Sequence, residues 1–167
     1  GRGNVVVCSV EGTRPILVEI QALVSSSNFG YPQRVATGFD MRRMAILVAV
    51  LEKRSGLNLG SQDIFLNVAG GLRLDEPAVD MGAALAMVSS FRDRTVDRGT
   101  VAVGEVGLGG EIRPVSHVER RVAEAYKLGF TRCLVAKANL ANLKAPGGME
   151  VVGVADIDAA QDVALGT

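Results

Sequence analysis

Ser116 and His117 are an adjacent pair of a hydroxyl nucleophile and an imidazole, and His117 is the only histidine in the chain. Catalysis by a serine requires that its base lie within hydrogen-bond reach of the hydroxyl group. Residues one apart on a helix diverge by about 100°, so these two side chains do not converge there. The spacing from Ser116 to Glu119 instead matches a capping box, in which Ser116 is the N-cap of a helix that begins at His117. We therefore predict a helix cap at this position and not a catalytic dyad.

A glycine cluster, Gly104, Gly107, Gly109 and Gly110, is the second feature that could serve chemistry, because glycine-rich loops cradle phosphate groups. A nucleotide P-loop also needs a lysine followed by a hydroxyl residue, and the cluster lacks both. It lies between two predicted strands, which is typical of a tight hairpin turn. We predict a hairpin here, and we do not expect this chain alone to hydrolyse ATP.

Asp75, Glu76 and Asp80 form an acidic group near the start of a predicted helix. The helix macrodipole stabilises negative charge at this end, so helix capping is the simplest interpretation. The alternative is that these carboxylates pair with arginines. Arg73 is near enough in sequence to pair with Asp75 or Asp80, and an arginine of a neighbouring subunit is the other candidate.

The elements that must position these residues follow from hydrophobic periodicity and turn signals. Residues 25–38 are predicted to form a long loop. The other predicted elements are strands at residues 5–10, 15–24, 64–69, 101–106, 111–115, 133–136 and 149–152, and helices at residues 40–55, 81–91, 118–126, 138–143 and 158–163. Strands and helices mix without strict alternation, which favours a two-layer α+β domain with a mixed sheet over a doubly wound sheet.

The composition indicates one folded domain with no strong overall charge. The chain has 167 residues, 48% of them hydrophobic, and a formal net charge of zero, so contact with nucleic acid needs a local basic patch or several copies. Cys8 and Cys133 are too far apart in sequence for a zinc motif, so buried thiols and no metal site are predicted. No apolar run suits a membrane span, and a cytoplasmic location is expected. The chain begins with glycine and soon enters a strand pattern, which favours a piece of a longer protein.

The segment from Gly70 to Asp80 resembles the nucleophile segment of the Lon-type Ser-Lys proteases, in which an acidic residue, a glycine and a proline precede the catalytic serine. Ala78 stands at the serine position, and a methyl group cannot attack a carbonyl. Residues 110–121 resemble the segment that carries the family's lysine, and Glu119 stands at the lysine position. Because both dyad positions are lost together, the resemblance implies a Lon-like fold that has given up its Ser-Lys chemistry.

Further segments resemble the C-terminal Lon-like domain of the bacterial RadA (Sms) family, and they are residues 10–24, 34–40, 47–54, 67–71, 104–108 and 113–115. The resemblance spans residues 5–165. It implies a single Lon-like domain of ribosomal-protein type over residues 1–167, with mixed sheet and packed helices. It also implies that the zinc finger and the RecA-like ATPase domain of this family lie outside the chain.

The same resemblance implies a non-catalytic scaffold for oligomerisation and DNA binding, in a DNA-dependent ATPase that promotes branch migration during DNA repair and recombination. The implied partners are further copies in a hexameric ring, single-stranded or branched DNA, and a recombinase filament. No cofactor is expected in this domain, whereas ATP, magnesium and zinc are implied for the full-length protein. The candidates for contact with DNA or with a neighbouring subunit are Arg14, Arg34, Arg42, Arg43, Arg73 and Arg113.

A working peptidase with a shifted dyad is the alternative hypothesis. In that case Ser89 or Ser90 would be the nucleophile and Lys127 the base. The two hypotheses differ in whether the chain reacts with a serine-directed label and in whether it forms a ring.

Overall fold

Two sheets are present in the computed structural model, which describes residues 1–28 and 30–166. The strands are β1 (Asn4–Glu11), β2 (Arg14–Ser26), β3 (Arg34–Thr37), β4 (Gln62–Val68), β5 (Thr100–Val103), β6 (Glu105–Val106), β7 (Ile112–Arg113), β8 (Arg132–Ala136) and β9 (Glu150–Val154). Seven strands form the main sheet in the order β3-β4-β2-β1-β5-β8-β9, and β6 pairs with β7 in a separate hairpin. Strand β2 is antiparallel to both β1 and β4, and the other neighbours are parallel, so the sheet is mixed.

Four α-helices cover this sheet: α1 (Met41–Ser55), α2 (Asp80–Arg92), α3 (Val118–Lys127) and α4 (Ile157–Leu165). Helices α1, α2 and α4 share one hydrophobic core with alternate residues of the strands. Helix α3 packs on the opposite face, over Cys8, Val101 and Cys133 in the middle of the sheet. Among the described residues, none of these helices has both the length and the apolar character that crossing a membrane requires.

Helix α2 lies close to β1 because its side chains are small where the two meet. A Cβ atom added at Gly82 would lie 2.1 Å from a methyl carbon of Val7, so only glycine fits there. Ala83 and Ala86 on the same helix are fully buried. This close packing, which the small side chains allow, fixes the height of the first turn of α2 above the sheet.

Most predicted elements are present, and the hairpin of β1 and β2 has its turn at the predicted residues. Asp40 caps α1 by accepting a hydrogen bond from the Arg42 backbone N–H, and Gly56 ends the helix in a left-handed conformation. The predicted loop at residues 25–38 is wrong in part: β2 extends to Ser26, and β3 pairs with β4 as an edge strand. A four-residue parallel edge strand leaves no alternating apolar pattern long enough to detect.

The predicted cap at Ser116 is also wrong. Helix α3 begins at Val118, the N-cap position is His117, and no side chain caps the helix. His117 has φ +57°, a left-handed conformation that non-glycine residues seldom adopt. The backbone turns sharply there, and the carbonyl of Ser116 accepts a hydrogen bond from the Arg121 side chain instead.

The mixed sheet with packed helices agrees with the α+β prediction, but the number of layers varies across the sheet. Around β3, β4 and the end of β2, the helices of the described part of the chain cover one face only, as the two-layer prediction requires. Over β1, β5 and β8, α3 adds a third layer on the opposite face. The prediction of two layers is therefore wrong for the middle of the sheet, because periodicity shows which face of a helix is apolar but not which side of the sheet it covers.

Candidate functional site

The segment that contains Asp75, Glu76 and Asp80 forms a tight turn that leads into α2. It lies between the hydrophobic core under α1, α2 and α4 and the one under α3. Residues Pro77–Val79 make one turn of 3-10 helix that continues directly into α2. The Ala78 carbonyl accepts a hydrogen bond from the Gly104 N–H at 2.9 Å, and the Gly104 carbonyl accepts one from the Met81 N–H at 3.0 Å. Ala78 itself is 2% exposed. The segment is thus held by backbone bonds, with the Ala78 methyl group packed inside.

Glu76 forms an ion pair with Arg121, which is buried at the start of α3. The guanidinium donates to Glu76 Oε2 at 3.0 Å, to the Cys8 carbonyl at 2.8 Å and to the Ser116 carbonyl at 2.9 Å. The Val10 backbone N–H donates to Glu76 Oε1 at 2.8 Å. Burial raises the pKa of the Glu76 carboxyl, but the hydrogen bonds from Arg121 and Val10 outweigh it, so the net pKa is lowered. Glu76 is therefore a structural anion.

Asp80 forms the second ion pair, with Arg43 of α1. Arg43 Nε donates to Asp80 Oδ1 at 2.9 Å, and Arg43 Nη2 also donates to the Val106 carbonyl at 2.9 Å. The Val106 N–H donates to Asp80 Oδ2 at 3.2 Å. Burial raises the pKa of the Asp80 carboxyl by more than the hydrogen bonds and the charge of Arg43 lower it. The two acids that flank Ala78 thus have opposite pKa shifts.

A small cavity lies beside this segment, between the start of α1 and the start of α2. Its volume is about 50 Å³, against about 300 to 1,000 Å³ for sites that bind small molecules. Phe39, Leu74, Pro77 and Val79 supply apolar walls, and Arg43 reaches its polar side. The space suits a few water molecules and not a peptide side chain.

The two degenerate dyad positions do not share a cavity. Glu119 is exposed in the first turn of α3 and lines a different, open depression with His117 and Arg120. Ala78 is buried in the 3-10 turn that leads into α2. The structure therefore places no pair of reactive groups at the positions that the resemblance assigns to the dyad.

The shifted dyad of the alternative hypothesis is not assembled either. Ser89 and Ser90 lie at the end of α2, and Lys127 ends α3 on the opposite face of the sheet. The Ser89 hydroxyl accepts a hydrogen bond from the Gly3 N–H and donates to the Arg94 carbonyl. The Ser90 hydroxyl accepts one from the Val24 N–H at 2.8 Å. Both serines hold neighbouring backbone in place.

The six candidate arginines do not form one basic patch. Arg14 begins β2, and Arg34 pairs with Ile64, which pairs with Val24 ten residues further along β2. At about 3.3 Å per residue this separation is about 33 Å. The six arginines are therefore too widely separated to act together within one copy.

Two of the six are built into the fold. Arg34 donates to the carbonyls of Leu59 and Gln62, at 2.8 and 3.3 Å, and Arg43 is paired with Asp80. Two others pair at the surface with an acid close in sequence, Arg73 with Asp75 at 3.0 Å and Arg113 with Glu111 at 3.1 Å. The pairing of Arg73 with Asp75 is one of the two arrangements predicted from the sequence. The remaining two, Arg14 and Arg42, are exposed.

Arg121 is the residue of this site that was not predicted from the sequence. It lies three residues after Val118 and four before Ala125, on the face of α3 that faces the sheet. That spacing predicts burial, and a buried arginine requires an acid. The sequence predicts helix capping for Glu76 and Asp80, or else pairing of Asp80 with Arg73 or of either acid with an arginine of a neighbouring subunit. Their partners are instead Arg121 and Arg43 of this chain.

Metal ligands and cysteine thiols are the last candidates for chemistry. In the part of the chain that the structure describes, no group of three or more His, Cys, Asp and Glu side chains is arranged to hold a metal ion. Cys8 and Cys133 are free and buried, as predicted. Burial raises the pKa of Cys8 to about 11 and that of Cys133 to about 12, so both remain thiols at neutral pH.

The chain is similar to a family named for a chelatase subunit and to proteins named for DNA repair. A family model described as ChlI, subunit ChlI of Mg-chelatase, matches residues 26–139. DNA repair protein RadA of Bacillus subtilis is 52% identical over 164 residues, which is 98% of this chain and 36% of that protein. The proteins of the same name from Halalkalibacterium halodurans and Streptococcus pneumoniae are 51% and 48% identical, over 98% and 93% of this chain. The chain spans about a third of the length of these relatives.

Proposed function

The chain belongs to the ChlI family, and we propose that it is a non-catalytic scaffold domain of a DNA repair protein, which joins copies and contributes part of a DNA-contact surface. The relatives that match 93 to 98% of the chain are named for DNA repair, so that role is carried over in preference to the chelatase of the family description. The likeness to the Lon-like domain is part of this proposal.

The observation that carries the proposal is the state of the segment around Ala78. A reaction centre needs a nucleophile, a base and space for a substrate. Here a methyl group occupies the nucleophile position, the neighbouring acids Glu76 and Asp80 are bound to arginines, and the adjacent cavity is about 50 Å³. These features support a structural role for the segment, which holds α2, α3 and β1 together, and not a catalytic one.

In this proposal the full-length protein is a cytoplasmic, DNA-dependent ATPase that promotes branch migration of recombination intermediates. ATP, magnesium and zinc belong to parts of that protein outside this chain. Its partners are single-stranded or branched DNA, a recombinase filament and five further copies in a hexameric ring. Because the chain has no net charge, several copies must combine their exposed arginines around a common path for DNA to be bound.

Sedimentation velocity and DNA binding test the two parts of the proposal. We expect the chain to associate beyond the monomer as its concentration rises, and to bind a fluorescent single-stranded oligonucleotide with an affinity that falls as salt increases. Arg14→Ala should weaken binding and lower the salt dependence by about one counterion for each phosphate that the variant no longer binds. A protein that stays monomeric at every concentration contradicts the scaffold, and salt-independent binding contradicts the DNA surface.

A serine-directed fluorophosphonate separates the scaffold from the peptidase alternative. We expect no covalent labelling of the folded chain, because the Ser89 and Ser90 hydroxyls bond to backbone groups and Lys127 ends α3 on the opposite face of the sheet. Labelling that disappears in Ser89→Ala or in Ser90→Ala, but persists in a surface control such as Ser61→Ala, would instead establish a working nucleophile.

A further inference from the structure

Among the described residues, no helix covers one part of the main sheet, and the side chains there are unusual for a solvent-facing surface. We define the open face as the side of β2, β3 and β4 that lies opposite α1, α2 and α4. Val24, Ile64 and Leu66 point into the helix-covered core, so the residues that alternate with them point to the open face. Leu23 pairs with Phe65, and Phe65 pairs with Val35. These three apolar side chains therefore form one row across three strands.

This row is exposed. Leu23 is 58% and Val35 45% accessible, and Phe65 is partly buried between them. Two more exposed apolar side chains lie at the same edge of the sheet: Tyr31 just before β3, and Met41, whose sulfur accepts a hydrogen bond from the Ala36 N–H. Contiguous apolar surface of this kind marks an interaction site, whereas scattered exposed residues do not. The open face is thus a candidate docking surface.

The charges of the open face select the kind of partner. Among the described residues of β2, β3 and β4 that point to this side, the charged ones are Glu19 and Asp63, and both are acidic. Gln21 and Asn67 between them are hydrogen-bonded to each other at 3.1 Å. Two carboxylates repel a phosphate backbone, so nucleic acid is a poor partner. The surface fits a protein that presents basic groups at both ends of a flat contact.

Helix α1 of this same chain presents such a surface on its side away from the sheet. Arg42, Ala45, Ala49 and Lys53 are all exposed and follow one side of the helix. Neither Arg42 nor Lys53 forms an ion pair with another described residue. The small alanines between them leave the middle of this stripe flat. We call these four residues the α1 stripe.

The spacing of the charges agrees between the two surfaces. Asp63 pairs with Ser25, which is six residues along β2 from Glu19, so the two acids are about 20 Å apart. Arg42 and Lys53 are eleven residues apart on α1, which is about 16 Å. The long arginine and lysine side chains span the difference of a few ångströms. Each acid can therefore meet one base in a single arrangement.

We propose that the open face of one copy receives the α1 stripe of the next copy, with Glu19 and Asp63 opposite Arg42 and Lys53 around the apolar row. The inference rests on the proposed scaffold function and names the contact that would build it. The two surfaces lie on opposite sides of the molecule, so each copy uses one of them toward each neighbour. Such a head-to-tail contact generates a ring where the rotation between copies closes.

Two charge-reversal variants test the pairing when they are mixed. The face variant carries Glu19→Lys with Asp63→Lys, and the helix variant carries Arg42→Glu with Lys53→Glu. Each variant alone sets like charges against each other, and we expect association in sedimentation velocity to weaken roughly 100-fold. In an equimolar mixture every contact joins opposite charges, so association should return, with the two variants alternating.

Two controls keep the test specific. The first control is Glu11→Lys with Glu150→Lys, which makes the same change in net charge as the face variant. Both positions are exposed and lie away from the open face, so this control should associate like the wild type. Asp63 also accepts a hydrogen bond from the Gln33 N–H, so Asp63→Asn, which keeps an acceptor, separates loss of charge from loss of local structure. Circular dichroism of each variant verifies its fold.

The outcomes distinguish the inference from the function on which it rests. If the wild type and both variants associate equally, the contact lies elsewhere and the inference is overturned, while the scaffold stands. If both variants dissociate and the mixture does not recover, the pairing of these two surfaces is wrong, and the open face binds another partner. If the wild type is monomeric under all conditions, the scaffold and the inference both fall.

Discussion

The two ion pairs on either side of Ala78 look alike but are built in opposite ways. In the pair of Arg121 and Glu76, the arginine side chain is 1% exposed and the carboxylate 26%. In the pair of Arg43 and Asp80, the arginine is 28% exposed and the carboxylate 1%. The first pair therefore buries its cation, and the second buries its anion.

This difference decides what happens when a partner is lost. A buried carboxylate without a partner can take up a proton and become neutral, because its pKa rises on burial. A guanidinium keeps its charge at any pH at which the protein folds. Loss of Glu76 thus leaves a buried charge that cannot be removed, whereas loss of Arg43 leaves one that can.

Removal of Glu76 is expected to have the largest effect. Glu76→Ala leaves the Arg121 cation in the interior with only carbonyl partners, and we expect it to lower the free energy of unfolding by about 4 kcal/mol. Urea denaturation monitored by circular dichroism measures the change. Glu76→Gln, which keeps an acceptor for the Val10 N–H, should lose less. A loss below about 1 kcal/mol in the alanine variant contradicts the interior role of Arg121.

Removal of Arg43 should cost less, and the cost should depend on pH. Arg43→Met retains the apolar stem and leaves Asp80 without its cation, for which we expect a loss of about 2 kcal/mol at neutral pH. The pKa of Asp80 is already raised and should rise further in this variant. A carboxyl whose pKa is raised by folding binds its proton more readily in the folded state than in the unfolded state. The loss in the free energy of unfolding should therefore shrink as the pH falls toward the ordinary carboxyl range.

Urea denaturation of the Arg43→Met variant and the wild type at a series of pH values measures this dependence. The loss in the Glu76→Ala variant should instead stay constant over this pH range, because the lowered pKa of Glu76 keeps that carboxylate ionised in the folded wild type, and it should shrink only at lower pH. If the loss in the free energy of unfolding depends on pH in the same way in both variants, the proposed difference between a buried anion and a buried cation is wrong.

Arg73 provides the smallest expected effect. It pairs with Asp75 in the same segment, but both side chains are well exposed, at 62% and 70%. Arg73→Ala should change the free energy of unfolding by no more than about 0.5 kcal/mol. A larger loss, measured by the same denaturation, would show that exposure does not separate the three pairs of this segment.

The sequence allowed prediction of those parts of the fold that depend on local pattern. The two strands of the β1 and β2 hairpin and the extents of α1 and α2 all follow from residues close together in the chain. The edge strand β3 is four residues long and lies in a polar segment, so its pairing is set by β4 and not by its own pattern. The left-handed conformation at His117 could not be predicted, because glycine and asparagine are the residues that usually adopt it.

The candidate site was predictable only in part for the same reason. Ala78 and Glu119 were identified from local resemblance. The partners of Glu76 and Asp80 are 45 and 37 residues away in sequence, and no local pattern connects them. What the sequence does contain is the position of Arg121 on the apolar side of α3. An arginine at such a position implies a buried acid, but not which of the eighteen acids it is.

The hydrogen bonds of Arg121 also impose an order on folding. This one side chain joins Cys8 at the start of the chain, Glu76 in the middle and Ser116 near the end. Closing such long loops is slow, because their entropy is lost before the contact is gained. A nascent chain that has left the ribosome only as far as α2 lacks α3 and cannot form these bonds, so we expect the turn around Ala78 to reach its final shape only after α3 has been made.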